Sequence, residues 1–436
     1  MAKQARRQGK DRLKVLVVGG GGREHALAWK LAQSPRCGEL LCAPGNPGTA
    51  RLGRNVPIQA ESVDELTAFA TDQGVDLVVV GPEAPLCEGL VDKLTAAGVR
   101  AFGPTAAAAR LEGDKAYSKQ VMRQSAVPTG ESRVFDEFQQ AKSYIASRDE
   151  PVVVKASGLA AGKGVFVCDD PSDAINAAET IMVDRAFGEA GARIVVEEKL
   201  LGEEASILAF VDGRNIYVME SSQDHKRIGD GDTGPNTGGM GAYSPAPIVT
   251  PAVHLQIERE VLVPIVEGLR RDGAVYKGVL YAGLMLTAGG PRVLEFNCRF
   301  GDPETQPVLM RLQSDLLEVC ESVIDGTLDR QTLAWDERPA VCVVMASGGY
   351  PAAYEKGKPI SGLDEAEAVS DVTVFHAGTA ERDGQVVTDG GRVLGVTALG
   401  TTIPDAQERA YEAVGKIRFE GAYWRKDIAS KAVDRG

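Results

Sequence analysis

The feature that most constrains the fold is an alternation of short β-branched apolar runs with helical segments, which begins at residue 13. The run Leu13–Val18 ends in four glycines and leads into a helical stretch, His25–Gln33. This order of strands and helices predicts a doubly wound parallel sheet with helices on both faces. The further predicted elements are the strands Leu40–Ala43, Asp76–Val80 and Val99–Phe102 and the helices Ser62–Gln73 and Leu86–Ala97.

We place this N-terminal α/β domain at residues 13–112, after a flexible polar arm at residues 1–12. A second domain is predicted at residues 113–335. It begins with a helix over Lys115–Gln124, and its predicted strands are Pro151–Ala156, Val165–Cys168, Arg193–Glu198, Ala205–Val211, Ile216–Glu220, Val279–Thr287 and Arg292–Phe296.

A smaller β-rich domain is predicted at residues 336–436. Its predicted strands are Val341–Ala346, Val372–His376 and Gly391–Leu399.

The composition limits the kinds of partner. A net charge of −13 argues against nucleic acid and against an anionic membrane surface. The chain contains no apolar stretch near 18 residues, which a membrane-spanning helix would need. Its seven cysteines are scattered without a Cys-x-x-Cys pair, which is typical of free thiols in a reducing cytoplasm.

The turn after the first strand, Gly19–His25, is a candidate anion site. A dinucleotide fingerprint requires a third glycine three residues after the second, but Glu24 or His25 stands there. Backbone N–H groups at the start of a helix still favour a phosphate, and Arg23 adds positive charge. A purely structural turn is the alternative.

A second glycine-rich loop lies between Lys155 and Val165. A P-loop requires four residues between its glycines and Ser or Thr after the lysine, whereas three separate Gly158 from Gly162, and Gly164 follows Lys163. We therefore predict a phosphate-binding loop of a different kind, in which small residues let backbone N–H groups approach the phosphates. A plain glycine hairpin is the alternative.

The strand end Glu197-Glu198-Lys199-Leu200 offers free backbone groups that can bind the edge of an adenine. A carboxylate a few residues later can accept hydrogen bonds from both hydroxyls of a ribose. A solvated, glutamate-rich strand end is the alternative interpretation.

Two oxygen-bearing side chains, Glu295 and Asn297, lie two positions apart on a predicted strand and so point to one face. A carboxylate and an amide oxygen are ligands that Mg²⁺ accepts, with phosphates completing its coordination. The alternative is a capped strand end. A charged turn that contains Arg299 and Asp302 follows directly.

The long segment Asp224–Pro247 is rich in Gly, Asp, Thr, Asn and Pro, and we predict no strand within it. Such a segment is usually functional or disordered. It mixes acidic and basic residues, including Asp224 and Lys226, which favours a lid that grips a zwitterionic substrate. A surface loop is the alternative.

The order of these motifs resembles that of the ATP-grasp superfamily and, within it, of the phosphoribosylamine–glycine ligase family. The resemblance runs from residue 13 to about residue 430. Two small departures are Gly20, where Asn is common, and Ser157, where Asp is common. The stretches that carry the resemblance are GGREHALAWK, VGPEAPL, FGPT, LEGDKA, VKASGLAAGKGV, GEEAS, SQDHKR, DTGPNTGGMGAYSPAP, LYAGLM, EFNCRFGDPETQP, WDER, GGYP and GGRVL.

The resemblance implies a two-lobed ATP-grasp domain at 113–335, whose lobe at about 125–200 closes as a lid. It implies ATP-dependent ligation of glycine to 5-phosphoribosylamine through glycyl phosphate, with Mg²⁺ or Mn²⁺, giving glycinamide ribonucleotide, ADP and phosphate. The expected partners are these small molecules alone, and the expected state is a cytoplasmic monomer, with a dimer as the alternative.

The resemblance also implies roles for individual residues. Catalysis would involve Lys155, Arg299 and Asp302, and the metal would bind Glu295 and Asn297. ATP would bind Lys115, Lys155, Gly158, Gly162, Lys163, Gly164, Glu197, Glu198, Lys199, Leu200 and Glu204; the phosphoribosyl group would bind Gly21, Gly22, Arg23 and Asn46; glycine would contact Asp224 and Lys226.

Other functions remain open at this stage. Within the same fold, the alternatives are another carboxylate–amine or carboxylate–thiol ligase and a biotin carboxylase-like enzyme. From other classes, they are a non-catalytic nucleotide sensor and a nicotinamide dehydrogenase.

Overall fold

The computed structural model of the chain describes residues 12–160 and 162–433. All of the predicted N-terminal arm except Arg12 lies outside this range. The first part of the described chain forms a parallel sheet of order β3-β2-β1-β4-β5. Its strands are β1 (Leu13–Gly19), β2 (Cys37–Pro44), β3 (Arg54–Asn55), β4 (Leu77–Val80) and β5 (Arg100–Phe102).

Successive residues of β1 pack into different hydrophobic cores. Val15 and Val17 join one core, and Leu16 and Val18 join the other. Both faces of the sheet are therefore covered, which explains why β1 is apolar at consecutive positions. The predicted doubly wound sheet is confirmed.

Helices connect these strands. The helix predicted over Leu86–Ala97 is instead two helices, because Gly89 between them adopts a φ of +83° that interrupts the α conformation. The helices of this part are α1 (Gly22–Ala32), α2 (Pro47–Ala50), α3 (Val63–Asp72), α4 (Glu83–Cys87), α5 (Leu90–Ala96) and α6 (Ala106–Gly113).

The next part is a small antiparallel sheet of order β6-β9-β7-β8 with a hydrophobic core of its own. Lys155 pairs with Val165 across β7 and β8, so the glycine-rich loop joins the two strands predicted on either side of it, and these strands are antiparallel. The elements are α7 (Lys115–Gln124), β6 (Ser132–Phe135), α8 (Phe138–Ala146), β7 (Val152–Ala156), β8 (Val165–Cys168), α9 (Pro171–Met182) and β9 (Ile194–Glu198), with a 3₁₀ turn at Gly188–Gly191.

A second antiparallel sheet, of order β11-β10-β16-β17, carries the strand end with Glu295 and Asn297. The side chain of Lys155 in the small sheet donates to the carbonyl oxygen of Leu294 in this second sheet. The strands from here on are β10 (Glu203–Asp212), β11 (Ile216–Val218), β12 (Gln223–Asp224), β13 (Arg227–Gly229), β14 (Thr233–Asn236), β15 (Gly241–Ser244), β16 (Lys277–Thr287) and β17 (Gly290–Asn297).

Helices α10 (Pro251–Ile257) and α11 (Val263–Arg271) flank this sheet and are joined by a π-helical turn at Glu258–Leu262. Helices α12 (Thr305–Arg311) and α13 (Leu316–Asp325) follow β17 and lead into a 3₁₀ turn at Leu328–Arg330.

The prediction that the segment Asp224–Pro247 contains no strand is wrong. The strands β13 and β14 pair with each other, and β15 pairs with the distant Ala340–Ala346. The glycines and polar residues of the segment hide these strands in the sequence, because pairing with remote partners fixes the register rather than local apolar periodicity.

The last sheet has the order β12-β15-β18-β22-β19, so it includes β15 of the long segment and β12, which ends at the first residue of that segment. None of the helices in the described residues is both long and apolar enough to cross a membrane. The remaining elements are β18 (Ala340–Ala346), α14 (Leu363–Glu367), β19 (Val372–His376), β20 (Thr379–Arg382), β21 (Gln385–Thr388), β22 (Arg392–Leu399), α15 (Ile403–Val414) and α16 (Ser430–Val433).

Candidate active site

The centre of the candidate site is the carboxylate of Glu295 near the end of β17. Burial alone would raise its pKa, but the positive charges of Lys226, Lys155 and Lys115 outweigh burial and lower it. The guanidinium of Arg299 acts in the same direction. Within residues 12–160 and 162–433, no side chain or backbone group hydrogen-bonds to this carboxylate. It is therefore an ionised group surrounded by cations and available to a ligand.

The structure places Asn297 on the same strand, two residues beyond Glu295. Its Oδ1 atom accepts a hydrogen bond of 3.2 Å from Nη2 of Arg299 and keeps acceptor capacity. Opposite Glu295 on β16 is Gly283, so no side chain covers the carboxylate from that strand. The pair fits a hard divalent cation, and phosphate or water would supply the other ligands. The described part of the chain holds no cluster of three or more His, Cys, Asp or Glu suited to a metal.

Lys115 stands at the first position of α7, against the glycine-rich loop. Its Nζ donates to the carbonyl oxygen of Gly158 at 3.3 Å, and its backbone N–H donates to that of Ser157 at 2.8 Å. The hydroxyl of Ser157 donates to Asp114, the N-cap residue of the helix. Burial lowers the pKa of Lys115, and Glu295 opposes this shift. The helix start and the loop thus form one surface beside Glu295.

Lys155 belongs to a buried cluster that the sequence analysis missed in part. Its Nζ lies 3.2 Å from Oε2 of Glu197 and donates to the carbonyl oxygen of Leu294 at 3.1 Å. The same Oε2 lies 2.9 Å from Nζ of Lys119. Lys119 lies four positions after Lys115 on α7, a spacing that puts both lysines on one helix face. This spacing could have identified Lys119 as a site residue from the sequence.

Oε1 of Glu197 is buried and has no hydrogen-bond partner in the described residues. The Glu197 side chain is thus engaged by lysines at one oxygen and free at the other.

The three glycines of the loop meet different structural requirements, namely lack of space for a side chain or a left-handed backbone. A Cβ at Gly158 would lie 2.6 Å from Cα of Ala190, and one at Gly164 would lie 2.7 Å from Cβ of Ala160. Gly162 needs its left-handed φ of +73° instead. Lys163 is exposed beside it. The loop is tightly packed at its base and open at its tip.

The end of β9 carries the residues predicted to bind adenine. Oε2 of Glu198 accepts a hydrogen bond from the backbone N–H of Glu131 at 3.0 Å, and Nζ of Lys199 lies 2.5 Å from Asp169. Leu200 is half-buried just after the strand. The side chains of Glu198 and Lys199 already have partners in the protein. The backbone N–H and C=O groups of this segment are therefore the groups available to bind the edge of an adenine.

Glu204, predicted for ribose, and Lys226, predicted for glycine, are in contact. Oε2 of Glu204 lies 2.6 Å from Nζ of Lys226. Asp224 is half-buried, and desolvation together with the charge of Glu304 raises its pKa well above the ordinary value. Oδ1 of Asp224 has no hydrogen-bond partner in the described residues.

Glu304 is another group that the sequence analysis missed. Its Oε1 accepts hydrogen bonds from Tyr281 at 2.6 Å and Ser206 at 3.0 Å. It lies two residues beyond Asp302 in the charged turn, and this closeness to a predicted site residue could have identified it from the sequence.

Arg299 is held by two carboxylates. Its Nε lies 3.1 Å from Glu83, and its Nη2 lies 2.8 Å from Glu112. The pKa of Glu83 falls to about 2, because Arg299 and Arg23 outweigh its burial. Burial raises the pKa of Glu112 to about 7, although Arg299 opposes the shift. The guanidinium of Arg299 therefore pairs with two carboxyl groups, so most of its charge is already paired within the protein.

Asp302 lies at the junction with the C-terminal sheet. Its Oδ1 accepts a hydrogen bond of 2.8 Å from Gln306, and its Oδ2 lies 3.2 Å from Nη2 of Arg392. Burial raises its pKa, but Arg392 and Arg23 outweigh burial and lower it. Arg392 also donates to the carbonyl oxygens of Gly238 and Asp302 and was not predicted as a site residue.

The first glycine turn is partly occupied by its own helix. Oε2 of Glu24 accepts a hydrogen bond of 2.7 Å from the N–H of Gly21, and Nε of Arg23 donates to Oε1 of Glu24 at 2.5 Å. Arg23 also donates to the carbonyl oxygen of Phe300. A Cβ at Gly22 would lie 2.7 Å from Nε2 of Gln306. The turn is thus packed against the segment that carries Asp302.

The side chain of Asn46 makes four hydrogen bonds within the protein. Its Oδ1 caps α2 by accepting from Gly48 and Thr49, at 2.9 and 3.0 Å. Its Nδ2 donates at 2.9 Å to the carbonyl oxygens of Gly20 and His376. Asn46 therefore fixes the first turn against β19.

The comparisons with known proteins agree along most of the chain. Family models match it in three consecutive pieces: the phosphoribosylglycinamide synthetase N domain at 13–112, its ATP-grasp (A) domain at 113–305, and its C domain at 340–431. A phosphoribosylamine–glycine ligase from Rhodopirellula baltica is 53% identical over 96% of this chain and 98% of its own length. One from Allochromatium vinosum is 54% identical over 97% and 99%.

Solved structures give the same result for the fold. A crystal structure of phosphoribosylamine–glycine ligase from Thermotoga maritima matches with a TM-score of 0.84 and 34% identity, covering 96% of this chain and 100% of that one. The biotin carboxylase domain of the Hydrogenobacter thermophilus 2-oxoglutarate carboxylase matches in fold, with a TM-score of 0.73 and 15% identity over 95% and 92% of the two chains. The predicted fold class is confirmed, and the chain belongs to the phosphoribosylglycinamide synthetase family.

Proposed function

We propose that this chain joins the carboxylate of glycine to the amine of 5-phosphoribosylamine at the expense of ATP, a step of de novo purine biosynthesis. The products are glycinamide ribonucleotide, ADP and phosphate. The observation that carries the proposal is the unpartnered carboxylate of Glu295 surrounded by Lys115, Lys155 and Lys226. The family supplies the identity of the two substrates.

The chemistry explains why cations are needed. A carboxylate is a poor electrophile because its oxygen is a poor leaving group. Transfer of the γ-phosphoryl group of ATP to glycine gives glycyl phosphate, and attack of the amine on its carbonyl carbon then expels phosphate. Positioning and neutralisation of charge account for most of the catalysis of phosphoryl transfer. Lys115, Lys155 and Lys163 are the groups that we assign to the phosphates.

We assign Glu295 and Asn297 to a divalent cation, either Mg²⁺ or Mn²⁺, which would neutralise phosphate charge when bound. Backbone groups of Glu198–Leu200 would bind adenine, and Glu197, whose Oε1 has no hydrogen-bond partner in the described residues, precedes them on the strand. Glu204 is assigned to the ribose and would share its carboxylate with Lys226.

Glycine is assigned to the neighbourhood of Asp224, Lys226 and Asp302, where both signs of charge are present. The first turn, with Gly21, Gly22 and Arg23, is assigned to the phosphoribosyl group. Since its side chain is fully hydrogen-bonded, Asn46 would act by holding this turn.

We further propose the domain limits 13–112, 113–335 and 336–436, with the lobe at about 125–200 acting as a lid over the acyl phosphate. The separate hydrophobic core of that lobe supports its moving as a body. A monomeric state and a cytoplasmic location complete the proposal. The free cysteines in the described residues agree with that location.

A phosphate-release assay tests the function. The enzyme is incubated with ATP, Mg²⁺, freshly generated phosphoribosylamine and one of a panel of amino acids. We expect phosphate release with glycine that depends on both ATP and phosphoribosylamine. Equal release with another amino acid would contradict the proposed substrate. Release that depends instead on bicarbonate and biotin would indicate a carboxylase.

A further inference from the structure

The chain segment Tyr423–Lys431 supplies no group to the site described above, yet it contacts the long segment that carries Lys226. We propose that this C-terminal segment holds Lys226 in place for the amino-acid substrate, with Arg425 as the positioning residue. The inference rests on the proposed function, because that function assigns glycine to the neighbourhood of Lys226.

Arg425 is buried, and only 1% of its side chain is exposed. Its Nε and Nη2 atoms donate to the two oxygens of Asp427, both at 2.7 Å. Its Nη1 donates to Asp232 at 2.9 Å and to the carbonyl oxygen of Arg227 at 3.1 Å. A buried guanidinium with such a set of partners has one favourable geometry, so it fixes the groups that it contacts.

The contacts of the C-terminal segment flank Lys226 on both sides. Arg425 binds the carbonyl oxygen of Arg227, the next residue. On the other side, the N–H of Ala429 donates to Nε2 of His225 at 3.3 Å. Lys226 itself reaches Glu204 with its ammonium group at 2.6 Å. The backbone of Lys226 therefore cannot shift without breaking contacts to this segment.

The hairpin β13–β14, which starts directly after Lys226, needs such support. Its strands pair only with each other among the described residues, and β14 is exposed along its length. The C-terminal segment contacts its tip as well. The N–H of Gly231 donates to Asp427, the N–H of Lys426 donates to Asp230, and Lys431 lies 2.5 Å from Asp232.

Loss of Arg425 should act on the substrate that Lys226 holds. Without the guanidinium, the base of the hairpin loses its bond at Arg227, and the ammonium of Lys226 loses its fixed position. A displacement of about 1 Å of a positioning group costs up to roughly 100-fold in rate. We therefore expect the effect to fall on glycine more strongly than on ATP.

The experiment compares Arg425→Met with Arg409→Met in the full-length enzyme. Arg409 is a matched control, because it pairs with Asp405 and Asp371 of the same C-terminal part. For Arg425→Met we expect KM for glycine to rise at least about tenfold, while KM for ATP changes less than about twofold. Arg409→Met should leave both constants unchanged.

Hydrogen exchange gives a readout that does not depend on turnover. The N–H groups of Thr237 and Met240 donate to the carbonyl oxygens of Lys226 and His225. We expect them to exchange faster in Arg425→Met and at the parental rate in Arg409→Met. If the parent enzyme does not use glycine, the proposed function fails. Unchanged hydrogen exchange at Thr237 and Met240 in Arg425→Met would separately overturn the positioning role of Arg425.

A folded Arg425→Met variant with an unchanged KM for glycine overturns the proposal. If that variant does not fold, KM for glycine is measured in Asp232→Asn instead. This change weakens the hairpin contact and leaves the pair between Arg425 and Asp427 intact. A raised KM for glycine supports the proposal, and an unchanged one overturns it.

Discussion

At the scale of single residues, charge neutralisation at Glu295 organises the site. Four cationic side chains lower the pKa of this carboxyl group against the effect of burial. In turn, the carboxylate of Glu295 offsets the mutual repulsion of the three lysines and Arg299 before a ligand binds.

We predict that Glu295→Gln lowers kcat/KM for glycine by a factor on the order of 10²–10³, as loss of a preorganised electrostatic group does. The amide keeps the size of the side chain but removes its charge. Turnover is measured by ADP formation, and folding by circular dichroism. The exposed Glu260→Gln serves as the control and should keep full activity. An active, folded Glu295→Gln enzyme would remove the metal-binding role from this residue.

What the sequence predicts at this scale depends on the distance along the chain. Glu295 and Asn297 are two residues apart on one strand, so their shared face follows from strand geometry alone. The partners of Arg299 could not be inferred, because Glu83 lies 216 positions away and only the fold brings the two together. The same holds for Arg392 at the start of β22 and Asp302 in the turn after β17, which lie 90 positions apart.

At the scale of elements, the glycine-rich hairpin was predictable and the long segment was not. The strands β7 and β8 are joined directly by their loop, so composition and order suffice. The strand β15 takes its partner from Ala340–Ala346, about a hundred residues later, and its own sequence has no apolar alternation. Tertiary pairing overrides local preference in such strands.

The base of the hairpin allows a prediction about the lid. Gly158→Ala would place a Cβ 2.6 Å from Cα of Ala190, and this overpacking costs about 1–3 kcal/mol of strain. We expect the loop to move away from the 3₁₀ turn and KM for ATP to rise. Gly289→Ala, outside the left-handed φ region and with only Oγ1 of Thr287 at 3.7 Å from the new Cβ, is the control. Equal KM values for ATP in the two variants would contradict this account of the loop.

At the scale of the whole molecule, two buried histidines join the N-terminal and C-terminal parts. Nδ1 of His25 on α1 accepts a hydrogen bond of 2.8 Å from the N–H of His376 on β19. Burial, together with the neighbouring charges of His376 and Arg51, lowers the pKa of His25 to about 3. Burial and Arg51 lower that of His376 to about 4. The folded interface therefore disfavours protonation.

This interface predicts a loss of stability in acid. Between pH 6.5 and about 4 the unfolded chain binds more protons than the folded chain, so the free energy of unfolding falls as the pH falls. Each of the two histidines accounts for about 2 kcal/mol at pH 5 relative to neutral pH. Urea denaturation at the two pH values measures the difference. His376→Gln should reduce it by about that amount, whereas His254→Gln should not change it. An unchanged pH dependence in His376→Gln would contradict the interface role.

The central claim is that the chain forms glycyl phosphate and transfers the glycyl group to an amine. The most direct test uses glycine labelled with ¹⁸O in both carboxylate oxygens, together with ATP and phosphoribosylamine in unlabelled water. The account predicts one ¹⁸O atom in each phosphate released, because the expelled phosphate keeps the bridging oxygen of the acyl phosphate. Phosphate without ¹⁸O, released at the rate of product formation, would contradict it.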